Sequence, residues 1–98
     1  MIYDIILKEQ SEVDLFKIKF YISYILKNPI SANKTIENIL SAIIKFSYFP
    51  YKYRILSENI HVYTLSNYSI YYKVENNIIY VLRILENKQQ FNYYDVLN

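Results

Sequence analysis

A chain of 98 residues with no cysteine, one histidine and a net charge of +2 leaves few chemistries open. It has the length of one domain with one core, residues 1–98 as a single unit, and can form neither disulfides nor thiolate metal sites. No Asp/Glu cluster at ligand spacing stands in for the missing ligands, so no metal and no cofactor are expected.

Hydrophobic residues make up 53% of the chain, which places it among folded domains. The mild positive charge is compatible with touching nucleic acid without establishing it. Glycine is absent, which removes the P-loop, the dinucleotide-binding GxGxxG and the G-x-S-x-G hydrolase elbow. The N-terminus lacks the charged and apolar regions of a signal peptide. The longest apolar run, Ile78 to Leu82, falls far short of the roughly 20 residues that span a bilayer. The expectation is a cytoplasmic protein without a membrane span.

In chain order, Ile2 to Leu7 reads as a first strand. Ser11 reads as a helix cap, followed by Glu12 and Asp14 near the positive end of the helix dipole. Leu15, Ile18, Ile22, Ile25 and Leu26 recur at helical spacing, and Phe16 and Phe20 are expected to widen that apolar face. Asn28-Pro29 stops the helix, because the residue before proline is driven out of the α region. A second helix is expected from Ser31 to Asn33 onward, with Ile36, Ile39, Leu40, Ile43 and Ile44 as its stripe. The short connection implies an antiparallel helical hairpin, closed by Phe49-Pro50.

The period then changes to that of strands. Tyr53 to Leu56, Ile60 to Leu65, Ser69 to Val74 and Ile78 to Leu85 are β-branched and aromatic runs. Ser57 to Asn59, Ser66-Asn67 and Asn76-Asn77 separate them, with asparagine expected to take the left-handed turn positions that glycine usually fills. The fold class is therefore α+β: an N-terminal strand, a helical hairpin, then a mainly antiparallel meander of three to four strands, with both helices on one face.

This order, carried by these residues, resembles the RelE/ParE toxin superfamily. "FYISYILKNPISANKTIENILSAI" resembles the family's first helix, Asn-Pro break and second helix; "FPYKYRIL" resembles the segment leading into the sheet; "NYSIYYKVENNIIYVLRIL" resembles the central hairpin. The resemblance implies a helical hairpin on a twisted sheet. It also implies a bacterial toxin neutralised by a cognate antitoxin, acting either on DNA gyrase or as a ribosome-dependent messenger-RNA endonuclease.

The nuclease branch needs a base, a proton donor and cations around one phosphate. Several positions depart from it: the strand that alternates Lys and Arg there reads Ile60, Val62 and Thr64, and the Arg after the hairpin aromatic is Ser69. If the chain is a nuclease, Lys52, Arg54, Arg83 and Lys88 are the catalytic candidates. The gyrase branch requires no catalytic set, and "VLRIL" resembles it more closely, although Glu86 stands where that branch commonly has His. Gyrase is the preferred target, the messenger-RNA endonuclease the alternative, and an inactive partner-binding scaffold the third reading.

Each residue also has a plainer reading. Arg83, in an apolar strand, is as well explained by pairing with Glu75 or Glu86 as by binding a phosphate. Lys52 and Arg54 are expected on one strand face as solvated surface charge. His61 has no acidic or nucleophilic partner at readable spacing and reads as structural or surface. Tyr93 and Tyr94, in a chain with 13 tyrosines, read as packing. Tyr63, Tyr71, Tyr72 and Tyr80 fall on neighbouring strands, and they are the candidates for contact with a partner chain, acidic in its toxin-binding part.

Overall fold

The computed structural model describes residues 3–92. The elements are β1 (Asp4–Leu7), α1 (Glu9–Phe20), α2 (Pro29–Phe46), β2 (Ile55–Ser57), β3 (Ile60–Leu65), β4 (Tyr68–Glu75) and β5 (Ile78–Glu86). A π-helical turn, Tyr21–Ile25, prolongs α1, and a 3-10 turn, Pro50–Lys52, precedes β2. The five strands form one sheet in the order β1-β5-β4-β3-β2, antiparallel except for the parallel pair β1–β5.

The hairpin's connection uses Asn28-Pro29 twice. Proline ends α1's path, and it also opens α2 at a position where its missing N–H costs nothing. Asn28 caps α2 by accepting the Ser31 amide at 3.1 Å, so the helix starts ahead of the expected Ser31. α1 likewise begins at Glu9, with Lys8 at the cap position. Ser11 is not the cap; it is buried within the first turn and donates its hydroxyl to the Lys8 carbonyl at 2.7 Å.

α2 supplies the core. Ile39, Ala42, Ile43 and Phe46 pack on Ile70, Tyr72, Val74, Ile79, Val81 and Ile84 of the sheet. Leu40 and Ile44, expected in the same stripe, are exposed. In β5, Arg83 pairs with Tyr71 but Val81 pairs with Tyr72, so Leu82 is an extra residue in a β-bulge. The bulge lets Val81 and Ile84, three apart, face the helices together.

Asn76 and Asn77 both take positive φ, 52° and 63°, the pattern of a two-residue hairpin turn. In the other two turns the left-handed residue is Ser66 or Glu58, not the neighbouring asparagine. Beyond β5 the chain doubles back over the face away from the helices. Asn87 accepts the Ser69 hydroxyl and donates to the Ser66 carbonyl, and Phe91 stacks on Tyr71 with ring centroids 4.3 Å apart. Tyr93 and Tyr94 lie outside the described residues.

Candidate functional site

The strongest polar feature joins α1 to β5. Asp14, buried on α1, receives the Arg83 guanidinium in a bidentate pair, Nε at 2.8 Å and Nη2 at 3.0 Å. Its Oδ2 also accepts the Ile84 amide at 2.9 Å. The topology explains the third bond. β1 stops after Leu7, where Lys8 donates to the Val81 carbonyl, and α1 then runs along the uncovered edge of β5. Asp14 takes the amide that another residue of β1 would have taken. Further along the edge, the Glu86 amide is taken by the Gln89 side chain. Side chains thus cap this edge of the sheet.

Arg83 therefore pairs with Asp14, not with Glu75 or Glu86 as expected. Glu75 instead meets Lys73 at 3.4 Å on the surface. The sequence holds a signal for Asp14 beyond its favourable charge near the helix start. Ser11, Asp14, Leu15 and Ile18 share one helix face, so a carboxylate on that face needs a cation.

The candidate cations do not converge. Lys52 lies in the 3-10 turn and Arg54 just ahead of β2, so they do not share a strand face; both are exposed. β2 and β5 are separated by β3 and β4, which puts Arg54 and Arg83 three strand spacings apart, roughly 14 Å. Lys88 lies beyond the end of β5 and is exposed. Among the described residues no group of three His, Cys, Asp or Glu side chains comes together, and no helix is long and apolar enough to cross a membrane.

The four tyrosines divide between the two faces of the sheet. Tyr72 is fully buried, stacks on Phe46 at 4.2 Å and donates its hydroxyl to the Pro50 carbonyl at 2.6 Å. It is a core residue and has no surface for a partner. Burial raises its pKa, with the neighbouring Tyr53 adding to the effect. Tyr63 is half-buried on the same face, beside Phe46 and Tyr53. Tyr71 and Tyr80 occupy the opposite face, Tyr71 under Phe91 and Tyr80 between the ammonium groups of Lys8 and Lys73. His61 is buried, stacks on Tyr72 and places Nδ1 3.0 Å from the Tyr53 carbonyl, where only an N–H can donate. Its setting is structural.

The surface features best suited to binding are apolar and lie on α1. Phe16 and Phe20, expected to face the core, are exposed, Phe16 by 67%. Tyr24 continues the row, its ring 5.0 Å from that of Phe20. Beside it a groove of about 480 Å³ runs between Phe16, Phe20, Tyr21 and Ile25 on one side and Ile84 and Glu86 on the other. Tyr68 lines this groove with its pKa raised, first by burial and then by the Glu86 carboxylate. A second groove, about 660 Å³ and more polar, lies between the α1–α2 connection and the β3–β4 turn.

The family model of the ParE toxin of type II toxin-antitoxin systems matches residues 5–91. Among solved structures, the chromosomal ParDE toxin-antitoxin system from P. aeruginosa superposes with a TM-score of 0.77 at 18% identity, covering 87% of this chain and 96% of that one. The RelBE2 toxin-antitoxin complex from Mycobacterium tuberculosis superposes with a TM-score of 0.61 at 15% identity, covering 89% of this chain and 100% of that one. No curated protein sequence matches significantly. The strand, the helical hairpin and the four-stranded meander are those of the two solved folds, and the sequence match spans nearly all of them: the chain belongs to the ParE toxin family of type II toxin-antitoxin systems.

Proposed function

We propose that this ParE-family toxin arrests bacterial growth by binding DNA gyrase in the cytoplasm, and that a cognate antitoxin neutralises it. The dispersal of its cations carries the choice of target. Cleavage of RNA by its own 2′-hydroxyl needs a base, a donor and cations within hydrogen-bond reach of one phosphate. Here Lys52 and Arg54 stand beside β2, Arg83 stands three strands away with its guanidinium on Asp14, and Lys88 follows the last strand. An inhibitor that acts by binding asks for no such convergence.

Three observations support an antitoxin partner. Both solved neighbours are described as toxin-antitoxin assemblies. Large exposed apolar side chains crowd α1 and its connection to α2, where an isolated soluble domain would carry polar ones. Tyr71 and Tyr80 on the opposite face add half-buried aromatic area of the kind protein interfaces use. The reading is tested by adding the purified chain to DNA gyrase and relaxed plasmid. Supercoiling is expected to stop, and to resume when the antitoxin is added. Undisturbed supercoiling, with cut transcripts in a translating extract, would restore the endonuclease alternative.

A further inference from the structure

We propose that α1 and its π-turn form a hinged flap over the free edge of β5, held shut by the Asp14 carboxylate as its latch. The two helices are fastened to the sheet very differently. α2 buries Ala32, Ile39, Ala42, Ile43 and Phe46, whereas α1 buries Ser11 and Asp14, and the π-turn buries nothing. Ser11 gives its hydroxyl to the Lys8 carbonyl, inside the first turn. Among the described residues, Asp14 is therefore the one side chain of α1 that bonds across to the sheet. Both of its oxygens are engaged, Oδ1 by Nη2 of Arg83, and Oδ2 by Nε of Arg83 and the Ile84 amide. Leu15 and Ile18, partly buried, supply the apolar share of the closure.

The flap is anchored at both ends. Lys8 donates its amide to the Val81 carbonyl at 3.0 Å, so the chain stays on the sheet up to the residue before α1. At the far end Asn28 is held by its cap on the Ser31 amide of α2. Each anchor adjoins a residue outside the helical region: Lys8 itself is extended, with φ −67° and ψ 154°, and Lys27 takes φ 54°. Rotation at a few such terminal positions lets a packed element swing while its neighbours stay in place. Opening at the far end breaks one backbone bond, from the Asn28 amide to the Ile22 carbonyl at 2.9 Å.

Chemistry favours release at the latch over release of the core. Lifting α1 returns the carboxylate to water, which offsets part of the lost pairing, whereas apolar area taken out of the core has no such compensation. The groove of about 480 Å³ has Ile18, Phe20 and Ile25 of the flap on one wall and Tyr68 and Ile84 of the sheet on the other, so it widens as the flap lifts. Opening also bares the Ile84 amide, on the stretch of β5 that β1 leaves uncovered. Closed, the flap keeps that edge from pairing with another strand.

Native-state hydrogen exchange of the purified full chain, resolved by residue, tests the proposal, and the Ile84 amide is the direct reporter. Protection of Ile84 and of residues 15–20 should fall together, at least about 100-fold below that of residues 39–46. Asp14→Asn should lower the protection of Ile84 and the flap by about 30-fold more. Tyr72→Phe removes a bond that the open and closed forms share, the one to the Pro50 carbonyl. It should lower protection of residues 39–46 about 10-fold while leaving the flap within about threefold of its original value. Equal protection of the two helices in the unaltered chain overturns the proposal, since α1 would then open only with the whole fold. So does a flap that responds to Tyr72→Phe as strongly as α2, or one that ignores Asp14→Asn. The comparison of the helices and the Tyr72→Phe variant remain decisive if Asp14→Asn does not fold. All of these readings are made on the free chain, so they stand or fall apart from the gyrase and antitoxin readings.

Discussion

The two helices of the hairpin are built on opposite plans. α2 buries Ile39, Ala42, Ile43 and Phe46 and is held by apolar area. α1 buries Ser11 and Asp14 and leaves Phe16, Phe20 and Tyr24 in solvent. One helix spends its hydrophobic side chains on folding; the other is tethered by a carboxylate and keeps them for contact with other molecules. Partly buried Leu15 and Ile18 still touch the core, so the tether works together with some apolar packing. The difference shows that apolar content along a helix does not reveal which use it serves.

Substitutions can break or sharpen this comparison. The largest effect is expected from Phe46→Ala, which empties the stack on Tyr72 and should cost about 4 kcal/mol in urea unfolding. Asp14→Ala comes next, at about 3 kcal/mol, because it removes the carboxylate that pairs with the Arg83 guanidinium and leaves the Ile84 amide without its acceptor. Replacing the pair together, Asp14→Leu with Arg83→Met, should recover much of that loss, as happens when a buried ion pair is exchanged for packed apolar groups. The Ile84 amide stays unpaired in that variant, so recovery should be incomplete. Smallest is Phe16→Ser, expected to change stability by less than about 0.5 kcal/mol because the ring is exposed. A loss of several kcal/mol at Phe16 would mean that α1 packs like α2.

Much of this architecture could be read from residue spacing. β3 has the expected bounds, and Asn76-Asn77 makes the expected turn, because short-range alternation and left-handed propensity are local properties. α1 was harder for a physical reason. Apolar residues at 15, 16, 18, 20 and 22 spread around the helix, so the period alone does not select the buried side. The selection comes from Arg83, 69 residues away, which draws Asp14 inward. Tyr72 likewise looks like any strand tyrosine until Pro50 presents a carbonyl to its hydroxyl. The scatter of Lys52, Arg54, Arg83 and Lys88 depends on strand order, which no local pattern encodes.

The most direct test of the account is induction of this chain alone in a bacterial host, with pulse-labelling of DNA and protein synthesis. DNA synthesis is expected to fall first, and the cells to filament. Immediate arrest of protein synthesis with cleaved transcripts would contradict it.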